Sequence, residues 1–378
     1  MVKFFNVIIV SGFFIFAGCS DILEEGNVAD PLTLNKIDEL HEAAKANISN
    51  TEKAYGYVNE MLNLALEINS QKDVGNAYNI LGAISRSEDN YVDALKFYLK
   101  SSKAFEESKD TVGMAKVYNN IGNIYRDISK LKSAINFYKK SLTLKTWLKD
   151  KEGMAITNRN IAFVYQLMKD YEKAKDSYWT SLYTWKNLGD EIRMAQLYND
   201  LGIVYELILE KNGSENYLVE KNIIYNLHLN ALELNKKRKN QKGMGWVYNN
   251  IATSYIERGD FAKALENLEL SLELKLRLND NEGLATTFNN FGLIYLNYYK
   301  DVELALTYFK KAENYADNRE LKKTYEYLAG ALERKGDFAS AIVYIKKLDS
   351  VKDKLRQTQY KEELAQIEAK YSVEYAGL

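Results

Sequence analysis

An all-α chain, built as an array of helical hairpins, is what this sequence predicts, and three observations carry the prediction. One phrase returns along the chain: VYNNIGNIY at 117–125, TNRNIAFVY at 157–165, LYNDLGIVY at 197–205, VYNNIATSY at 247–255 and TFNNFGLIY at 287–295, with a fainter AYNILGAIS at 77–85. Within and after each phrase, small and aromatic residues recur at spacings of three, four and seven, which lie on one face of a helix. Pro occurs once, at Pro31, so nothing beyond it removes a backbone donor or clashes with a preceding helical turn.

The 378 residues have room for two ordinary domains or one long array. Lys plus Arg number 51 and Asp plus Glu 52, so no basic excess points to nucleic acid and no acidic block reads as a tail. His occurs only at His41 and His228, and Cys only at Cys19. That usage excludes Cys/His zinc spacing, a disulfide scaffold and Cys/His catalysis in the folded body. No metal and no cofactor is expected.

Residues 1–18 open with Met1, Val2 and Lys3 and continue with an apolar run from Phe4 to Ala17, interrupted by Asn6, Ser11 and Gly12. A positive charge followed by such a run is the layout of a secretory signal, and the run falls short of the roughly 20 residues that a membrane span needs. Its end, FAGC from Phe16 to Cys19, resembles a bacterial lipobox, with Phe where the pattern usually has Leu. The resemblance implies cleavage before Cys19 and lipid attachment to it; an ordinary signal or an uncleaved anchor is the alternative. SDILEE, which follows, resembles the acidic signal of some surface-exposed outer-membrane lipoproteins and reads equally as a solvated linker. Residues 19–32 are therefore expected to be the lipidated Cys and a tether, which implies the bacterial cell envelope.

The repeats fill 33–348. Aligned on the small residue of each phrase, the units are anchored at Gly82, Gly122, Ala162, Gly202, Ala252, Gly292 and Ala329, with steps of 40, 40, 40, 50, 40 and 37 residues. An earlier, weaker copy places Glu42 at the anchor and Ala54 twelve residues later, making about eight units. Twelve beyond the anchor stand Ala94, Ala134, Ala174, Ala264 and Ala341, with Ala305 one place late. Nineteen beyond stand Ser101, Ser141, Ser181, Ser271 and, one late, Ala312, with Ala231 in the same place once the ten extra residues of its unit are allowed for. Aromatic residues lie four before (Tyr78, Tyr118, Tyr198, Tyr248, Phe288, Tyr325) and three after (Tyr125, Tyr165, Tyr205, Tyr255, Tyr295). Breakers divide each unit (Asp89-Asn90, Asp170, Gly259-Asp260, Gly336-Asp337), and Asp110, Asp150, Asp190 and Asn279-Asp280 lead to the next. Each unit is thus two helices joined by a tight turn. Gly inside a helix costs about 1 kcal/mol relative to Ala, so its return at one register implies close approach of the partner helix.

The pattern Y-x-x-(I/L)-(G/A)-x-x-Y, then Ala at twelve and a small residue at nineteen, resembles tetratricopeptide repeats. The period of 40 departs from the usual 34 and is similar to the longer-helix variety of kinesin light chains and bacterial peptide-sensing regulators. The Pro that often closes a repeat is missing, which leaves the second helices free to run longer. The resemblance implies a right-handed α-solenoid superhelix with a concave inner surface.

It also implies that the positions two and three before each anchor face the groove. They hold Asn79; Asn119 and Asn120; Arg159 and Asn160; Asn199 and Asp200; Asn249 and Asn250; Asn289 and Asn290. Asn competes with the helix backbone for hydrogen bonds, and its carboxamide offers donors and an acceptor to an extended peptide of any sequence. The bland alternative is that these Asn bridge neighbouring repeats. Arg86, Arg126 and Arg159 are candidates for setting sequence preference, and Trp246 for an anchor in the groove.

The long step surrounds LEKNGSENYLVEK at 209–221, an insertion that lengthens helix ends or adds a loop. After the last unit, residues 349–378 read as a charged capping helix, with Val351, Leu355, Leu364, Ile367 and Tyr371 roughly along one stripe, a surface also open to homodimerisation. This ending resembles the stretch that follows the repeats in tetratricopeptide histidine kinases and transcription regulators. Three functions stay open: a lipid-anchored scaffold holding a protein or peptide, a sensory module whose curvature another protein reports, and an outer-membrane carbohydrate-binding lipoprotein. No phosphate loop, metal cluster or Ser/His/Asp set suggests an enzyme.

Overall fold

Punctuation sets the length of the helices. In the computed structural model, which describes residues 30–212 and 217–354, the residues Asn69, Asp89, Lys109, Ser129, Lys149, Lys169 and Gly189 all have positive φ and stand 20 apart. At each of these points one helix ends and the next residue is the N-cap of another. Lys109 shows the pattern: its N–H donates to Glu106 O at 3.1 Å and that of Asp110 to Phe105 O at 2.9 Å, satisfying the last carbonyls of the helix. The Asp110 carboxylate then accepts from the N–H groups of Val112 and Gly113, both at 3.0 Å, and so caps the following helix.

The result is eight helical pairs. They are α1 (Pro31–Ala46) with α2 (Thr51–Glu67), α3 (Gln71–Ser87) with α4 (Tyr91–Glu107), α5 (Thr111–Asp127) with α6 (Leu131–Trp147), and α7 (Lys151–Leu167) with α8 (Tyr171–Leu188). There follow α9 (Glu191–Asn212) with α10 (Tyr217–Lys237), α11 (Gln241–Arg258) with α12 (Phe261–Arg277), α13 (Asn281–Ile294), running into a π-helical turn Tyr295–Tyr299, with α14 (Val302–Glu313), and α15 (Asn318–Lys335) with α16 over 338–354. Each pair packs on the next, and the first helices of neighbouring units also touch (α1 with α3, α3 with α5, α5 with α7, α9 with α11, α11 with α13, α13 with α15). This is the right-handed solenoid that the repeat implies, with first helices lining the inner face.

The expected anchors sit where the helices meet. Gly82, Gly122, Gly202 and Gly292 face the rings of Tyr98, Tyr138, His228 and Phe309, with the place of a Cβ only 2.4–2.6 Å from the nearest ring atom. The Ala residues twelve beyond the anchor are buried throughout. The Ser residues nineteen beyond do more than stay small. Ser101, Ser141, Ser181 and Ser271 donate to the carbonyls of Gly75, Ala115, Ala155 and Gly245 at 2.7–2.8 Å, tying the second helix of each unit to the first.

Three expectations are corrected, and for the insertion one of the two expected outcomes is found. The second helices do not outrun the first: α3 to α7 are all 17 residues long, because the αL residue and cap close both helices at the same distance. Glu42 is no anchor; its side chain is exposed and pairs with Lys45, and Ala44 is the small buried residue of α1. The insertion lengthens both helices of its unit, to 22 and 21 residues, with 213–216 outside the described residues. The tether is shorter than expected, since Asp30 caps a helix that starts at Pro31. The signal, Cys19 and the chain beyond 354 lie outside the described residues, and α16 passes through 348 unbroken, with Val351 buried against the last unit. Among the described residues no helix is long and apolar enough to cross a membrane.

Candidate functional site

The paired polar residues of the repeated phrase form an inter-unit ladder along the first helices. Asn120 Nδ2 donates to Asn79 Oδ1 at 2.9 Å, Asn160 to Asn119 at 3.2 Å, Asn250 to Asn199 at 2.8 Å and Asn290 to Asn249 at 3.1 Å. In every case the residue two before an anchor reaches back to the residue three before the preceding anchor. The middle rung keeps the positions but changes the chemistry: Arg159 Nε donates to Asp200 Oδ2 at 2.7 Å. Thus the Asn do bridge repeats.

Bridging does not exhaust them. A carboxamide has two N–H donors and a carbonyl acceptor. Each Asn rung consumes the oxygen of the earlier residue and one N–H of the later, leaving the earlier amide nitrogen and the later oxygen. Each rung thus keeps at least one donor and one acceptor, the complement of a peptide bond, except where the earlier residue, Asn249, is itself buried. Asn79, Asn119, Asn120, Asn160, Asn199, Asn250 and Asn290 are all half-buried, as a groove lining should be. Asn249 and Asn289 are not: both were expected in the groove and both are buried. Thr287 and Asn290 close over Asn249, and Asn289 turns to donate to Thr324 at 3.0 Å.

Two cavities flank the charged rung. One, of about 340 Å³, is lined by Arg126, Asp127, Arg159, Asn160, Phe163, Tyr178 and Asp200. The other, of about 380 Å³, includes Arg159, Asn199, Asp200, Lys242 and Trp246. All three candidate arginines are engaged in ion pairs. Asp127 accepts from Arg86 Nε at 2.7 Å through one oxygen, and from Arg126 Nε and Nη2 at 3.0 and 2.8 Å through the other. Burial pushes the Asp200 carboxyl above its usual range, although Arg159 opposes this. For Arg159 burial pulls downward, and the charge of Asp200 and its hydrogen bond more than offset it.

Trp246 does line the groove, half-buried, but it also roofs a lysine: Lys275 Nζ lies 4.5 Å from its ring centroid. Lys275 belongs to a four-residue network that sequence reasoning missed, with Thr287, Asn249 and Asn290. Lys145, Thr157, Asn119 and Asn160 repeat it three units earlier. Burial lowers both lysines to about 8. Asp127, the acceptor for two arginines, was also missed. Its only signal was the step of 41 from Arg86, the same step that separates most rung partners. Among the described residues no group of three or more His, Cys, Asp or Glu side chains is placed to hold a metal ion.

A tetratricopeptide-repeat family model matches residues 73–146 and 243–318. No curated protein matches the sequence. Among solved structures, the apo quorum sensor NprR from B. thuringiensis is similar with a TM-score of 0.63 at 18% identity, covering 87% of this chain and 90% of that one. A Rap protein complexed with competence and sporulation factor has a TM-score of 0.60 at 14% identity, covering 87% and 100%. Aspartyl phosphate phosphatase F from Bacillus subtilis has 0.60 at 14%, covering 86% and 95%. At these identities the likeness is one of fold.

Proposed function

We propose that this chain, a tetratricopeptide-repeat solenoid, is a binding scaffold that holds an extended peptide or a protein segment against the ladder of its inner face, without catalysing a reaction. The observation that carries the reading is the residual hydrogen-bonding capacity of the rungs: at least one donor and one acceptor on each rung formed by half-buried Asn, repeated along the groove. The structural neighbours include a Rap protein in complex with a factor, which is consistent with such use of this fold. The N-terminal run and Cys19 support lipid anchoring at the bacterial envelope as the setting.

A sensory use is favoured by one feature. The residues that would hold the partner are the same ones that tie unit to unit, so a ligand competing for them changes the angle between repeats. The unit-to-unit angle sets the curvature of the solenoid.

The test uses the full chain, incubated with a pool of random synthetic peptides, beside an Asn120→Ala/Asn160→Ala variant. Two lost rungs cost roughly 1–3 kcal/mol together, so circular dichroism must first show the variant folded. Peptides retained by the native chain are expected to bind the variant at least about tenfold more weakly. Absence of any retained peptide, or equal retention by both proteins, would overturn the reading.

A further inference from the structure

The rung between α7 and α9 differs from the Asn rungs on either side, and the difference points to a ligand group. We infer that the groove carries, at Arg126 and Arg159, a subsite for a single carboxylate of the bound peptide. This inference rests on the peptide-binding reading and names the side-chain chemistry which that reading leaves open.

Three features of the geometry support it. First, the two guanidinium groups are presented by their unused edges. Asp200 engages Arg159 through Nε, and Asp127 engages Arg126 through Nε and Nη2. Among the described residues neither Nη group of Arg159 nor Nη1 of Arg126 has a protein acceptor, and both residues line the same 340 Å³ cavity. A guanidinium held at one edge and open at the other is pre-organised for a carboxylate, whose two oxygens match its fork. Second, the charges do not cancel. Within the cavity lining Arg126 and Arg159 are matched by Asp127 and Asp200, but Asp127 is shared with Arg86 outside that lining, so the cluster of three arginines and two aspartates carries one positive charge, and the tyrosines beneath it (Tyr98, Tyr138, Tyr178) are neutral. One excess charge in a partly buried cleft suits a monoanion better than a phosphoryl dianion. Third, the rung is central: the Asn79–Asn120 and Asn119–Asn160 rungs precede it, and the Asn199–Asn250 and Asn249–Asn290 rungs follow. A peptide running along the ladder passes over it with a side chain to spare. Asn160 borders the same cavity and offers its amide oxygen to the backbone beside the carboxylate.

The carboxylate can come from an internal Asp or Glu or from a peptide C-terminus, and the experiment separates these. The full chain is offered random peptides with both ends blocked, and in parallel the same pool with a free C-terminal carboxylate. Enrichment of Asp or Glu at one internal position of the blocked pool is the expected result; enrichment only in the free-acid pool assigns the site to the terminus.

Two variants of the protein are then compared. In Arg126→Gln, Asp127 keeps Arg86 and the excess charge disappears. Arg159→Asn/Asp200→Asn rebuilds the rung in the form that its neighbours already have. Each is expected to reduce the acidic preference about tenfold or more while still retaining peptides on the Asn rungs. Peptides bound with no acidic enrichment, an enrichment unchanged in both variants, or preference for phosphoserine over glutamate would overturn the subsite and leave the scaffold reading intact. A pool from which nothing binds would overturn both.

Discussion

Gly122→Leu is expected to lower the stability of the folded chain by about 3 kcal/mol, at or above the usual range for overpacking a filled core. A Cβ at this position would stand 2.6 Å from Tyr138 Cε1 and 2.7 Å from Cδ1, inside any real contact distance. The ring has little room to move, so the two helices must part slightly to admit any side chain. Tyr138 is fully buried, and its hydroxyl donates to Asn123 Oδ1 at 2.7 Å. Ala162 and Tyr178 share a core cluster at the equivalent joint, so one methyl is within what the packing can take, and Gly122→Ala should cost much less than the leucine. Because each unit contacts mainly its neighbours, the lesion should also uncouple the array. Urea unfolding should then split into two phases, the first belonging to the units around α5 and α6. An unchanged melting temperature for the leucine variant would show that the helices do not meet through this glycine.

The joint also shows what could be read from the residues alone. The recurrent Gly or Ala demanded a close partner, and the later Ala and Ser residues demanded tight packing; all were found there. The ring that fills the space, sixteen residues past the anchor, was in the sequence as Tyr98, Tyr138 and Tyr178, with Phe309 one place late. In a chain with 29 Tyr, and with His228 and Leu268 interrupting the series, that signal does not separate from its background. The turns were legible as breakers, but not the lysines at positive φ, since Lys has no preference for that conformation. The limit was sharpest in the groove. Whether Asn120 serves a neighbour or a ligand depends on which residue lies 41 positions back in space, and only the stacking of units fixes that. The answer is that it serves the neighbour with its amide nitrogen and has its oxygen left over.

Lys275→Met is expected to stabilise the chain by about 3 kcal/mol at pH 7, the free-energy equivalent of a pKa lowered from 10.5 to about 8. Lys275 is 1% exposed, and its ammonium reaches only Thr287 Oγ1 at 2.9 Å and Gly283 O at 3.2 Å, together with the face of Trp246. Among the described residues no carboxylate forms a salt bridge with it; the charges of Asp280 and Glu282 favour the ammonium, and burial outweighs them. The native protein gives up this proton near pH 8, whereas the unfolded chain keeps it to about 10.4. Between those values the unfolded state binds more protons, so this group's contribution to stability rises with pH. The advantage of the methionine variant should therefore be constant below about pH 8 and shrink to nothing by about pH 10.5. Taking the difference between two urea titrations at each pH removes the buried tyrosines, whose raised pKa values make them lose stability only above pH 10. Methionine leaves the Thr287 hydroxyl with an acceptor, Gly283 O at 3.0 Å. The same register already holds the apolar pairs Phe105 with Val117 and Trp185 with Leu197 in other units. A methionine variant less stable than the native chain at pH 7, or a difference that does not vary with pH, would mean that the lysine is held by more than its burial costs. The network of Lys275, Thr287, Asn249 and Asn290 would then be a stabilising tie between units rather than a charge the fold tolerates.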